Sequence, residues 1–275
     1  MKQNLFLLGG FFFFLACSNE PKKVQSDAPA DLIEIAYQFD TVLLEKEWGN
    51  CSESDEGCIT ISFSYPQIIN PDSIGILINQ RIVRMLKVHV QDSVGSAEEY
   101  SDYLIEEFKK TQSENSTAAG WQIENEIAVE YMANRIVSIR QFGLENNGAA
   151  HPDFSLHLRS FSALNGQRIL LDDVFKDNYR DSLMKLAVFY LGTAMNASME
   201  IEFVEGSTKG ASSGFELSEN FNLDENGINF LHIDPLNQSD GSGFVEFTIP
   251  YSELIDANLI NENGVLSFLL GSVNP

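Results

Sequence analysis

The sequence predicts an α+β protein whose largely antiparallel sheets pack against about three amphipathic helices. Three observations predict it. Apolar residues alternate with period two in the early, middle and late parts of the chain. Three other stretches repeat apolar residues at helical spacing. The resulting order is strands, helices, strands, helix, strands, with hairpin turns dominating the connections between strands.

Before the first strand, Lys2 precedes an apolar run from Leu5 to Leu15 that closes on Ala16 and Cys17. The run is too short to remain in a bilayer as a helix. Its charged start, apolar middle and small-residue end are those of an export signal. Ala16 directly before Cys17 is similar to a bacterial lipoprotein signal. This predicts residues 1–16 as signal peptide, Cys17 as the lipidated first residue of the mature chain, and residues 17–31 as a tether of prolines, lysines and small residues. Phe14 stands where such signals carry an aliphatic residue, and a plain secreted or uncleaved form is the alternative. Taking Cys17 from the three cysteines leaves Cys51 and Cys58. In an exported protein this pair reads as a disulfide pinning the polar loop "NCSESDEGC". Zinc is the other reading, but two thiolates with no nearby histidine supply half a site.

The elements follow in order. Ile33, Ile35, Tyr37 and Phe39 share one face of a strand, and Ile59, Ile61, Phe63 and Tyr65 do so beyond the cysteine loop. In "NPDSIGILINQRIVRMLKVHV" the period changes: Pro71 and Asp72 offer a helix start, and Ile74, Ile78, Ile82, Met85 and His89 fall at helical spacing. His89, at the end of that stripe, reads as a packed or half-exposed helix residue. Ser96 and Glu99 have capping-box spacing for a second helix with Tyr100, Tyr103, Leu104 and Phe108 on its apolar face. Glu98, Glu99, Asp102, Glu106 and Glu107 form its solvated side. The stretch "WQIENEIAVEYMANRIVSIRQF" returns to strands, with "ANR" as the hairpin turn. After the turn "LNGQR", the run "ILLDDVFKDNY" leads into a third helix with Tyr179, Leu183, Leu186, Tyr190, Leu191 and Ala194 on one side. "FELSENFNL", "GINFLHI", "FVEFTIPY" and "GVLSFLL" are strand-like.

The chemistry-bearing candidates gather around "NNGAAHPDFSLH". In an extended strand, Phe154, Leu156 and Leu158 point to one face and His151, Asp153, Ser155 and His157 to the other. Neighbours on that polar face lie about 6.8 Å apart, so a shared metal would need ligands from elsewhere. The spacing favours a solvated face of a half-buried sheet, with His151 hydrogen-bonding to fix the corner. Asp172 and Asp173 follow "ILL" and read as stabilising a turn or helix start. "GASSG", residues 210–214, matches Gly-x-Ser-x-Gly, but that motif needs a strand before it and a helix after it, and Ser212 lies in a loop followed by strand-like sequence. No catalytic group, metal or cofactor is expected.

Composition bounds the partners. With 44% hydrophobic and 11% aromatic residues, the chain can bury a core in one large or two modest domains. The formal charge of −23 argues against nucleic acid and against anionic lipid as a partner of the folded surface, leaving the lipid anchor as the membrane link. An acidic surface steers cationic partners over about 8 Å at physiological salt, besides maintaining solubility.

"NNGAAHP", a hairpin, "NGQRILLDDVF", a helix, "NFNLDENGINF" and "VEFTIPYSEL" together resemble the extracytoplasmic domain of RsiV-type anti-sigma factors and of PdaC-type peptidoglycan deacetylases, a domain of unknown function in other settings. The members carry a Gly-Gly-Ala-His turn, matched here by Gly148 to His151 with Ala149 in place of the second glycine. They also carry a Gly-Lys-x-Ile-x-Leu-x-Asp-Leu-Phe run, matched through Asp172 and Asp173, and an Ile-Pro-Tyr-x-x-Leu segment, matched at Tyr251. "CITISFSYPQI" with the two helices and hairpin after it looks like the smaller domain that accompanies them. The resemblance covers about residues 32–270. It implies an N-terminal α+β domain over residues 32–145 and a C-terminal one over residues 146–275. Gly148, His151, Asp153, His157, Asp172, Asp173 and Tyr251 become candidate motif or binding residues. The sigma-binding segment and the deacetylase motif are not recognised, so the resemblance implies a non-enzymatic binding half. The expected ligand is a cationic glycan hydrolase such as lysozyme, or peptidoglycan; an envelope hydrolase using His151 with a carboxylate is the alternative. The expected setting is an exported lipoprotein of the outer membrane or facing the periplasm.

Overall fold

The computed structural model describes residues 37–51, 57–87, 95–114, 119–195, 216–233 and 243–271. Cys17, His89 and Ser212 lie outside them. Strands β1 (Phe39–Gly49), β2 (Cys58–Ile68), β3 (Trp121–Ala133), β4 (Ile136–Asn146) and β5 (Asp153–Ser162) form one sheet in that order. All neighbours are antiparallel except β2 and β3, which run parallel because the chain crosses between them through α1 (Ser73–Met85) and α2 (Ala97–Glu114). The short α3 (Leu171–Val174) and longer α4 (Arg180–Ala194) follow, then a second antiparallel sheet of β6 (Phe221–Leu223), β7 (Gly227–Ile233) and β8 (Phe244–Pro250). The described chain closes with α5 (Tyr251–Asp256) and α6 (Phe268–Gly271). This is the α+β, antiparallel-dominated architecture expected from the alternating runs.

Local signals explain most boundaries. Asp72 caps α1 by accepting from the Gly75 N–H at 2.7 Å. Ser96 Oγ accepts from the Glu99 N–H at 3.1 Å while the Glu99 carboxylate accepts from the Ser96 and Gly95 N–H groups, completing the capping box of α2. Asn134 and Arg135 turn the β3–β4 hairpin with φ of 51° and 67°, the left-handed pair that matches strand twist.

Period-two alternation in the five-stranded sheet serves two covers. One face carries Ile59, Ile61, Phe63, Ile123, Ile127, Val137, Ile139 and Phe161 against Ile78, Ile82 and Met85 of α1 and Tyr100 and Phe108 of α2. Phe63 and Tyr100 stack there with centroids 5.7 Å apart, and each fully buried large side chain is worth roughly 1.5–3 kcal/mol. The other face is covered at its β4–β5 end by the three-stranded sheet, where Leu156 and Leu158 meet Leu231 and Phe244. A third core lies beyond: Phe221, Phe230 and Phe247 form one row across β6–β8 and pack against Leu183, Ala187 and Leu191 of α4.

Four expectations differ from the structure. The first described strand spans Phe39–Gly49 rather than ending at Phe39; Ile33 and Ile35 lie outside the described residues. "GVLSFLL" is a run of turns ending in α6 rather than a strand. On α4 the buried stripe is Leu183, Met184, Ala187, Val188, Leu191 and Gly192, so Leu186 and Tyr190 are partly buried and Ala194 is exposed. The division after residue 145 falls between β4 and β5, which pair directly in one sheet, and the described residues belong to one compact unit.

Candidate functional site

The corner joining β4 to β5 is built around Gly148, whose φ of +83° a side chain would strain. Its N–H donates to Asn146 Oδ1 at 3.2 Å, and Ala119 and Trp121 pack beside it. Ala149 takes no positive φ, as the loss of a glycine there requires. His151 sits in this turn ahead of the strand, exposed and without a hydrogen bond among the described residues. The expectation that His151 fixes the corner is therefore corrected. Asp153 opens β5, exposed and opposite Glu145.

His157 does share a face with Asp153 and Ser155, but that face is not simply solvated. His157 stands opposite Gln141, whose Nε2 donates to the Met85 carbonyl of α1 at 2.8 Å and to Asn125 Oδ1 at 2.6 Å. His157 is thus half-buried on the helix side of the sheet. Burial, then Arg159 and Arg168, push its imidazole below the ordinary histidine value.

The remaining candidates are structural ties at separate places. Asp172 Oδ1 accepts from the Tyr179 hydroxyl at 2.9 Å, and Arg180 lies over the Tyr179 ring at 5.2 Å. Burial first, and Asp172 second, raise the Tyr179 hydroxyl pKa. A cleft of about 460 Å³ opens here, lined by Asp172, Phe175, Lys176, Asn178, Tyr179 and Arg180. Asp173, the third residue of α3, accepts from the Leu170 N–H at 2.8 Å and so stabilises the helix start. Tyr251 donates to the Asp224 carbonyl at 2.9 Å, and burial raises its pKa. Cys51 and Cys58 are joined as a disulfide between the ends of β1 and β2, with Cα atoms 5.1 Å apart. Among the described residues, no group of three or more His, Cys, Asp or Glu could hold a metal ion. No described helix is long and apolar enough to cross a membrane.

Two features escape a residue-by-residue reading of the sequence. The first is the open outer face of β1–β3, on the side away from α1 and α2. The register aligns Glu45 with Ser62 and Glu124, Glu47 with Thr60 and Gln122, and Leu43 with Ser64 and Glu126. The three strands contain one basic residue, Lys46, which points the other way and pairs with Asp102 of α2 at 2.5 Å. A cleft of about 450 Å³ lies among Glu45, Glu47, Thr60, Ser62 and Glu124. Beside it Leu43 is 62% exposed, and Phe142, opposite Glu126, is 36% exposed and packs on Phe154. The signal was present as glutamates alternating with apolar residues in "WQIENEIAVE", but which strands meet cannot be read from one strand.

The second is a polar seam between the sheets. The Arg140 guanidinium forks onto both oxygens of Glu246 on β8 and reaches Glu130 on β3 through Nε. These partners hold Arg140 charged against its own burial. Glu130 also accepts from Asn222 Nδ2 at 2.8 Å, and Asn222 is joined through Asn229 to Asp224 and Thr248.

No family model matches the chain, and no curated protein matches it. Solved structures do. A crystal structure of a DUF3298 family member from Bacteroides fragilis is 19% identical, covers 84% of this chain and 98% of its own, and superposes with a TM-score of 0.62. A DUF3298 family protein from Pseudomonas aeruginosa PAO1 is 14% identical, covers 82% of this chain and 96% of its own, with a TM-score of 0.59. Over more than four-fifths of its length, the chain therefore shares the fold of DUF3298 family proteins.

Proposed function

We propose that this protein is an exported, lipid-anchored envelope protein of RsiV-like kind that binds a cationic glycan hydrolase such as lysozyme and catalyses no reaction itself. The observation that carries this reading is the outer face of β1–β3. Glu45, Glu47, Glu124 and Glu126 stand on one face of the sheet with no basic side chain of those strands beside them, and Leu43 and Phe142 lie exposed at its margin. Complementary charge speeds encounter and rejects anionic competitors, while exposed apolar groups supply contact that salt does not screen. The net charge of −23 extends the same steering field over the rest of the molecule. The resemblance to the RsiV-type domain supports the choice of ligand.

The test is calorimetry of the chain beginning at Ser18 against c-type lysozyme at low and moderate salt. The expected result is binding that weakens with salt but persists. Reversing Glu45, Glu47 and Glu124 to lysine should abolish it, whereas reversing Glu106 and Glu107 on α2 should leave most of it. Binding that disappears at moderate salt, or that responds equally to both sets of reversals, would remove the outer face as the docking surface. Retention on purified sacculi instead of on lysozyme would assign a glycan ligand.

A further inference from the structure

We propose that the helix-side edge of β5 holds a phosphate-monoester site formed by His157, Arg159 and Arg168. Its origin is the alternation of the strand. His157 and Arg159, opposite Gln141 and Ile139, both point to the side covered by α1 and α2, about 6.8 Å apart along the strand. The chain then turns and lays Arg168 against β5, with Phe161 opposite Arg168 and the Ile169 N–H donating to the Ser160 carbonyl at 2.8 Å. In this register Arg168 is the diagonal neighbour of Arg159 on the same face, a separation of roughly 7–8 Å that two arginine side chains span easily. Arg81 of α1 joins the same turn, donating to Gln167 Oε1 at 2.6 Å.

Three basic groups have thus been brought together in a protein of net charge −23, and among the described residues none of them forms an ion pair with a carboxylate. Arg159 makes no hydrogen bond or ion pair among the described residues, although it is half-buried. Arg168 donates through Nη2 to the Glu219 backbone carbonyl, and its Nε is buried without a partner. Among the described residues, Glu219 is the carboxylate whose charge acts on Arg168; its Oε2 is engaged by the Leu171 N–H at 3.0 Å. Asp153 shares the face but lies two alternate positions further along, opposite Glu145.

A guanidinium cannot escape this arrangement by losing its proton near neutral pH. Burial and then Arg168 depress Arg159 to about 10, so the site is costly while empty of an anion. Two guanidinium forks and an imidazole that charges when an anion arrives offer more donors than a carboxylate can use. They match the several oxygens and double charge of a phosphate monoester. All three side chains keep part of their surface open to solvent, so a ligand can reach them.

The test follows the His157 ring by NMR in the full chain, in chloride buffer and with added phosphate at constant ionic strength. His157→Gln assigns the signal. In chloride the ring should titrate below the ordinary histidine value, and phosphate should move the midpoint up and raise the melting temperature. Arg159→Gln and Arg168→Gln should each raise the phosphate concentration needed by at least about tenfold. Arg159→Gln should melt no lower than the parent in chloride, because it removes an unpaired charge, while losing the gain in phosphate. Arg180→Gln, at the start of α4, should behave as the parent. Inorganic phosphate and phosphatidic acid vesicles form separate arms. A response to the first identifies a soluble ligand, and a response to the second alone identifies a lipid headgroup. No movement of His157 in either arm overturns the site, as does movement that persists in both arginine variants. An equal response to acetate overturns the assignment to phosphate.

Discussion

Ser138 and Ser160 face each other across β4 and β5 with their hydroxyl oxygens 2.7 Å apart, fully buried, and together they hold the second sheet to the first. The Ser138 hydroxyl donates to the Leu223 carbonyl, and Ser160 Oγ accepts from the Leu223 N–H at 2.9 Å. One residue of β6 thus has both backbone groups satisfied by a serine pair of the other sheet. Small hydroxyl side chains allow the close approach that a larger residue would block.

The first prediction follows from this pair. Ser160→Ala leaves a buried N–H without an acceptor and should cost about 1–3 kcal/mol in urea unfolding. Ser138→Ala should cost a similar amount through the Leu223 carbonyl. The double variant should cost less than the sum, because the two hydroxyls also bond to each other. Simple additivity would mean that the two serines act independently.

A second prediction concerns Arg140 and Glu246. Arg140→Leu leaves the carboxylates of Glu130 and Glu246 facing each other without their cation. A fully buried pair broken in this way would cost about 3–5 kcal/mol. Here the side chains remain 35% and 31% exposed, so screening reduces the expected loss to about 1–2 kcal/mol. Adding Glu246→Gln to Arg140→Leu should restore part of that loss. If the added change makes the protein still less stable, the guanidinium is not the group that offsets these acids.

The corner at 147–152 gives a third. His151→Ala should change stability by no more than about 0.5 kcal/mol, since the side chain is exposed and unbonded. Gly148→Ala should cost about 1–2 kcal/mol from its φ of +83°, although there is space for the methyl group. The opposite ranking of the two variants would restore a hydrogen-bonding role for His151.

The sequence carried some of this plainly and concealed the rest for identifiable reasons. Asp72, the Ser96–Glu99 box and the Asn134–Arg135 turn act through neighbours in the chain, so local signals found them. "GVLSFLL" misled because a short apolar run fits a strand or a buried helical turn equally well. β1 is hard to place from sequence because "TVLLEKEWG" alternates poorly: it lies at the sheet edge and exposes Leu43. For His157 the alternation was right and the environment was not. Alternation divides a strand into two faces, but only the packing of α1 on one face and β6–β8 on the other tells how wet each face is. The charges of Arg159 and Arg168 were legible as residues, and their meeting depended on the Phe161–Arg168 bridge.

The pH dependence of stability supplies the last prediction. Burial, followed by Arg159 and Arg168, lowers the His157 pKa in the folded protein beneath its ordinary value of 6.5. Above that value both folded and unfolded chains keep the imidazole neutral, and the contribution to stability is fully present. As pH falls through about 6.5, the unfolded chain takes up a proton that the folded chain resists, so stability falls until the folded-state pKa is passed. In chloride buffer the urea midpoint of the parent should therefore drop between about pH 7.5 and pH 5.5 by more than that of His157→Gln. An identical slope in the parent and in His157→Gln would show that the imidazole is not held neutral by its arginine neighbours and its burial.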